Sequence, residues 1–376
     1  MTTSIKKSKI LVCVLNMGLG HASRCLPVIQ DLKRIGTYLT IASSGRSLIF
    51  LKQEIEQADF LELPDYELSY SNKGVSILGL IHQVPVLLKK IQTEHQIVGQ
   101  FVASHSINLV ISDHRYGCYA EGIPSLFITH QLRFIAPKFL RGFEFIGAAF
   151  NRHYHKKYNT VIIPDLLIQD RGVLSGRLSK INGETKYFFC GPLSSISRSD
   201  TPEKEIDLLV SISGPEPQRS VFEEIIREQI QEIEGEKVVL LGKPERSEKE
   251  HLGGNLTIIP HASRSVMAEL FNKSKLIVTR SGYSTVMELA ETGKKALFVP
   301  TPGQTEQLYL AERFKKNGWF YSVEQDELDL KRDIRIATDK VSGFPREFST
   351  HNSVVKIREL LQSSLTRAMG DKKIDY

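Results

Sequence analysis

Three glycine-containing turns, each placed after an apolar run, gather the side chains of this chain best suited to chemistry. The first, NMGLGHASR at residues 16–24, follows ILVCVL and sets His21 just past Gly18 and Gly20. Those glycines allow a tight turn. An imidazole at the first turn of the following helix is kept neutral near pH 7 by the helix dipole, so His21 is a candidate proton acceptor. The plainer alternative is a histidine that caps its helix or packs in the crevice. A dinucleotide reading is weaker: Ser23 stands where the G-x-G-x-x-G fingerprint takes Gly or Ala, and IASSGR at 41–46 lacks the acidic residue that would hold a ribose. Only Arg46, as partner for a 2′-phosphate, keeps NADP as an alternative.

The second turn, SGPEPQR at 213–219, presents backbone N–H groups around Ser213 and Gly214 and adds Arg219, an arrangement that suits an anion. The third region, TRSGYSTVMELAETGKKALFVPTPGQTEQLYLA at 279–311, is the most informative. Arg280, Ser281 and Gly282 precede a helix that starts with small hydroxyl residues, again a place for an anion. Glu288, two turns in, is suited to accept the hydroxyls of a ribose, and Gln304, Glu306 and Gln307 offer donors and acceptors for those of a sugar. Each of these has a bland counterpart in a capped helix or polar loop. After NLVIS at 108–112 come Asp113, His114 and Arg115; Asp113 is expected to orient His21 or bind an acceptor, with His114 as the reserve base. His130 also ends a strand, with a structural role equally open.

To place these groups the chain must alternate strands and helices, and it does so twice. Strands are expected at 9–15, 38–43, 60–63, 108–112, 125–129, 160–164 and 187–190, with helices near 21–35, 47–56, 76–104 and 138–157. After a polar linker at 191–205 the pattern restarts: strands at 206–213, 237–241, 256–260, 275–279 and 296–300, helices at 218–233, 264–271, 283–292 and 305–317. This predicts an α/β chain of two tandem Rossmann-like, doubly wound domains, 1–198 and 199–350, with the carboxyl ends of their strands facing a cleft. A helix at 351–366 is expected to return to the first domain, and 367–376 to be a loose tail.

The 376-residue length suits two domains, and a net charge of +6 without a basic run favours an anionic small ligand or membrane surface over nucleic acid. Cys13, Cys25, Cys118 and Cys190 show no paired spacing and read as free thiols in a reducing compartment. The first apolar run stops at Leu15, too short for a secretion signal, and no stretch reaches the roughly 18 apolar residues of a membrane span; a cytoplasmic protein is expected. A D-x-D triplet is absent, and His153 and His155 lack nearby carboxylate or thiolate partners, so no catalytic metal is expected.

GLGHASR, SGPEPQR, RSGYSTVMEL and PTPGQTEQLYLA together resemble the MurG-like glycosyltransferases, family 28, of the GT-B fold; the last hundred or so residues of the pattern are its specific part. The resemblance implies a nucleotide-sugar donor, usually a UDP-sugar, held by the C-terminal domain. Its diphosphate would lie near Ser213, Gly214, Ser281 and Gly282, aided by Arg219 or Arg280. The ribose would meet Glu288, and the sugar Gln304, Glu306 and Gln307. His21 would receive the acceptor hydroxyl beside Gly18, Gly20 and His114, in an inverting transfer that needs neither metal nor other cofactor. NMGLGH and SGPEPQR depart from the glycine-richer turns of the peptidoglycan enzymes, which implies a different glycan, lipid or lipid-linked acceptor. Some relatives share GLGH and an Arg-Cys pair like Arg24-Cys25 and use water instead, so a UDP-sugar hydrolase is the alternative; a non-catalytic nucleotide-sugar binder is a third. Residues 131–158 interleave aromatics with Arg133, Lys138, Arg141, Arg152, Lys156 and Lys157, and suit either contact with an anionic membrane at its inner face or a helix packing Phe143, Ile146 and Phe150 into the core.

Overall fold

Continuous apolar runs such as KILVCV are what a strand needs when both faces of its sheet are covered by helices, and KILVCV becomes β1 (Lys9–Val14), its last five residues buried. The computed structural model describes residues 5–66, 77–136, 138–181, 186–199, 205–243, 250–253 and 255–371. Its first unit takes in Met1–Ser71, Val75–Leu193 and Ser349–Tyr376, and its second Asn72–Gly74 and Ser194–Phe348. Five residues of the expected linker, 200–204, lie outside the described residues.

After β1 the first unit runs through α1 (Gly20–Arg34), β2 (Tyr38–Ser43), α2 (Gly45–Glu54), β3 (Asp59–Glu62), α3 (Ile77–His105), β4 (Leu109–Asp113) and β5 (Ser125–Ile128). It continues with α4 (Glu144–His155), β6 (Thr160–Ile163), a small hairpin of β7 (Leu167–Ile168) and β8 (Arg171–Gly172), and β9 (Tyr187–Phe189). Among the described residues the main sheet has seven strands in the order β3-β2-β1-β4-β5-β6-β9, paired parallel throughout. Strand order reverses direction between β1 and β4, so the turns after both diverge there and leave a crevice at the carboxyl edge.

The second unit repeats the plan with β10 (Ile206–Ser211), α5 (Gln218–Gln229), β11 (Lys237–Leu240), β12 (Glu250–Leu252), β13 (Leu256–Ile259), α6 (Arg264–Lys273) and β14 (Ser274–Thr279). Then come α7 (Tyr283–Thr292), β15 (Lys295–Phe298), α8 (Thr305–Lys316), β16 (Tyr321–Ser322) and α9 (Leu330–Asp339). Among the described residues its sheet order is β12-β13-β11-β10-β14-β15-β16, with β12 alone antiparallel, and the reversal falls between β10 and β14. Leu208, Val210, Phe222, Ile226, Val278 and Leu297 close its core between sheet and helices. The last helix, α10 (Thr350–Asp371), belongs to the first unit and packs on α1, where Arg358 forks onto Asp31 at 2.8 and 2.6 Å. It runs five residues beyond the expected end at 366, so 367–371 are helical and not loose; 372–376 lie outside the described residues.

The single helix expected over 138–157 is a 3-10 turn, Lys138–Phe143, followed by α4, with Gly142 just before the junction, where its low helix propensity weakens the run. Of the three residues expected to pack inward, Phe150 lies against the core, whereas Phe143 and Ile146 are exposed. The short β12 and β16, at the two opposite edges of the second sheet, and the helix α9, started by Asp329 accepting from Arg332 N–H at 2.9 Å, are elements that the apolar pattern did not mark.

A fully buried ion pair ties α3 to the turn after β4. Arg115 Nε donates to Glu94 Oε1 at 2.5 Å, while Glu94 Oε2 accepts from Tyr66 O–H at 2.6 Å and Gly117 N–H at 2.8 Å. A Cβ at 117 would meet Ile91 O at 2.3 Å, so glycine is required for that approach. Glu94→Ala is expected to cost about 3–5 kcal/mol in urea unfolding, because it strands the Arg115 charge. Glu94→Leu with Arg115→Met should recover most of that loss; a single variant as stable as the parent would show the pair to be idle.

Candidate active site

His21, Arg24 and Cys25 are spaced i, i+3 and i+4 on α1, so one face of the helix carries all three, and that face meets Asp113 at the end of β4. His21 Nδ1 lies 2.6 Å from Asp113 Oδ1, Arg24 Nη2 and Nε reach Oδ1 and Oδ2 at 2.5 Å each, and the Cys25 thiol donates to Oδ2 at 3.3 Å. A carboxylate has about four lone-pair sites, and all four are used. Asp113 is fully buried; burial alone would raise its pKa, but Arg24 and His21 hold the carboxyl far below the usual range. The stability this contributes is complete above the unfolded pKa of about 3.9 and is lost as pH falls below it.

The ionised Asp113 accepts only, so His21 Nδ1 carries the hydrogen, and Arg24 Nη2, 2.9 Å away, is a close neighbour of that nitrogen and not its donor. The lone pair therefore sits on His21 Nε2. Burial first, and then the Arg24 charge, lower the pKa of His21, outweighing the opposite pull of Asp113. The imidazole is neutral at pH 7 and able to take a proton. Gly18 holds a left-handed φ of +67° in the preceding turn and Gly20 opens the helix, as the spacing GLGH predicts.

His114, with a positive φ of +55°, faces back onto the sheet: its Nε2 is 2.6 Å from Thr129 Oγ1, its ring stands edge-on to His21 at 5.2 Å, and burial keeps it uncharged. His130 Nδ1 accepts from Arg24 Nη1 at 3.1 Å. The expected pairing of Asp113 with His21 is thus present as a contact. Arg24, which forks onto the carboxylate, is not singled out by the glycine turn itself, although its three-residue offset from His21 puts it on the same face of α1.

In the second unit β10, β14 and β15 are adjacent and in register, Ser211 opposite Thr279 and Thr279 opposite Phe298. Their following turns consequently share one edge, bringing Ser213 and Gly214, Arg280 to Gly282, and 299–304 side by side. Ser213 and Gly214 are exposed, and Gly214 has φ +114°. Gly282 caps α7, and Ser281 Oγ donates to Gln307 O at 2.8 Å. Gln307 Oε1 accepts from Thr301 N–H at 2.8 Å while its Nε2 donates to Gln304 Oε1 at 2.6 Å; Glu306 is in the first turn of α8. Glu288 is buried and paired with Arg264, whose guanidinium also bonds Ser195 Oγ. Nothing local marks Arg264, 24 residues upstream at the start of α6. Among the described residues no group of three or more His, Cys, Asp or Glu side chains is arranged around a common metal position, and no helix is long and apolar enough to cross a membrane.

Two arginines expected at the diphosphate are employed otherwise. Arg280 is 1% exposed, and its five N–H groups meet five acceptors: Ser213 O (3.4 Å), Val299 O (2.9 Å), Pro300 O (3.2 Å), Gln218 O (2.9 Å) and Gln325 Oε1 (2.6 Å). The guanidinium also lies over Phe222, 4.2 Å from the ring centroid. It has no donor left for a ligand and acts as a clip between turns. Arg219 is held by Glu216 of its own turn and by Gly242 O at 2.6 Å. Arg280→Lys, with three donors in place of five, is expected to cost about 2–4 kcal/mol of stability in urea unfolding. Parental stability combined with weakened nucleotide binding would instead restore the direct contact.

Comparison with known proteins agrees with this architecture. Residues 220–347 match the glycosyltransferase family 28 C-terminal domain and residues 8–126 the glycosyl transferase family 1 domain. An uncharacterized glycosyltransferase of Methanopyrus kandleri is 24% identical over 324 residues, spanning 81% of this chain and 88% of that one. The calicheamicin glycosyltransferase CalG4 superposes with a TM-score of 0.59 at 14% identity over 98% of both chains. MurG of Acinetobacter baumannii does so with 0.53 at 14% identity over 96% of this chain and 94% of that one. With two glycosyltransferase domains matched in sequence and the doubly wound sheets of such enzymes in structure, the chain is a glycosyltransferase of the GT-B fold carrying a family 28 C-terminal domain.

Proposed function

We propose that this glycosyltransferase moves a sugar from a nucleoside diphosphate sugar, a UDP-sugar in the first instance, to the hydroxyl of a glycan, lipid or lipid-linked acceptor, with inversion and without a metal. The observation that carries the reading is the neutral His21, fixed by Asp113 with its Nε2 lone pair outward from that bond. The acceptor O–H gives its proton to Nε2 as its oxygen bonds to the anomeric carbon. The bond from that carbon to the diphosphate breaks, and its electron pair leaves on the nucleoside diphosphate. Asp113 then faces an imidazolium and stabilises it. Backbone N–H groups at the starts of α7 and α8 favour the departing anion, and Glu288, oriented by Arg264, offers a carboxylate to the ribose. Gln304, Glu306 and Gln307 are assigned to the donor sugar.

The exposed Phe143 (60%), Phe145 (67%) and Ile146 (54%) lie among exposed Arg141, Arg152, Lys156 and Lys157. This apolar and basic surface supports an acceptor met at an anionic bilayer. Binding to vesicles containing phosphatidylglycerol, weakened by salt and by Phe143→Ser with Phe145→Ser, is the expected outcome in sedimentation. No binding would remove the membrane from the reading and leave the transfer intact.

The deciding experiment is a melt of the purified protein against UDP, dTDP, GDP and NADPH. One nucleoside diphosphate should raise Tm, an effect lost in Glu288→Ala; a rise with NADPH alone would overturn the donor assignment. With the donor sugar identified, His21→Gln should lower kcat about 10²–10⁴-fold while leaving nucleotide affinity unchanged. Because burial and Arg24 disfavour the imidazolium, the acid limb of kcat/KM should fall below the ordinary histidine value of 6.5, with activity lost as pH drops through it. Free sugar released at full rate without any acceptor would identify a hydrolase.

A further inference from the structure

Thr301 stands in the turn between β15 and α8 and is 1% exposed. Its N–H is bonded to Gln307, yet its Oγ1 has no hydrogen-bond partner among the described residues. Buried hydroxyls are almost always paired, so one left open points to a partner that arrives from outside the chain. The direction of that arrival is given by Gly214. A Cβ built there would lie 3.4 Å from Thr301 Oγ1 and within 4 Å of no other atom beyond its chain neighbours, and Gly214 itself is exposed. The absent side chain at 214 therefore leaves a gap bounded by this hydroxyl, in the turn after β10 where an anion is expected. The neighbouring polar groups are already engaged: Ser281 with Gln307 O, Arg280 with its five acceptors, Arg219 with Glu216 and Gly242.

We propose that Thr301 Oγ1, reached through the gap at Gly214, donates a hydrogen bond to a phosphoryl oxygen of the nucleoside diphosphate leaving group. The assignment rests on the donor reading above and adds a binding residue to it. A hydroxyl bonded to a phosphoryl oxygen makes a charge-assisted bond, and charge grows on that oxygen as the bond to the sugar breaks, so the contact strengthens toward the transition state.

Thr301→Val keeps the shape and removes the hydroxyl; Thr301→Ser keeps the hydroxyl. Calorimetric titration of the full chain with UDP, dTDP and GDP, and with uridine, thymidine and guanosine, separates phosphate from nucleoside. For the diphosphate that the parent binds, Thr301→Val should weaken affinity roughly tenfold. Nucleoside binding should be unchanged, and Tm equal or higher, since an unpaired buried hydroxyl has been removed. Thr301→Ser should retain affinity within about twofold, and Thr301→Ala, a second variant, should show the same split between diphosphate and nucleoside. In turnover kcat should fall by a larger factor than KM rises. Parental diphosphate affinity in Thr301→Val, or equal loss of diphosphate and nucleoside binding, would overturn the proposal while the donor reading stands. A parent protein that binds none of the three diphosphates would overturn the donor reading, and this proposal with it.

Discussion

An ionised carboxylate withdrawn from water at the end of a strand must have every lone pair matched, and at Asp113 that requirement sets much of the first unit. Its partners all come from one helix, so satisfying the charge fixes how α1 is rotated about its axis and therefore where the turn 16–20 must leave β1. It also requires β1 and β4 to be neighbours, which is where the strand order reverses. The histidine tautomer follows from the same demand: the carboxylate leaves Nδ1 no role except donor. Positioning and protonation state of His21 thus have one electrostatic origin.

The second unit solves the opposite problem. Arg280 is a buried cation with no counter-ion among the described residues, and carbonyl oxygens take the place of a carboxylate. Such an arrangement is tolerable because each N–H is individually accepted, and the consequence is mechanical: the turns after β10, β14 and β15 are drawn to one guanidinium. A side chain suited by type to hold an anion can be consumed in this way as a structural clip.

Where apolar runs alternated with turn residues, the fold was legible. The helix expected at 283–292 is found at Tyr283–Thr292, begun by Gly282 and stopped by Gly293 in a left-handed conformation. Strand order placed Asp113 near His21 for the same reason. Burial fates were not legible: RSG reads as an anion turn whether its arginine points outward or inward, and only the neighbouring turns decide. Long-range ion pairs such as Arg264 with Glu288 and Arg115 with Glu94 depend on elements that meet only after folding. At Phe143 and Ile146 the helical period points to an inward face, yet both stand in solvent; for Phe143 the 3-10 segment before α4 alters the phase relative to Phe150.

Four of the five acceptors on Arg280 are main-chain carbonyls, a group that every amino acid carries. The turns it gathers are therefore held by atoms that substitution does not alter. The fastening thus does not depend on which side chains stand at 213, 218, 299 and 300, since only their carbonyl oxygens take part. Replacing any of those four side chains leaves the guanidinium its acceptor, so the turns can change their chemistry without losing their anchor.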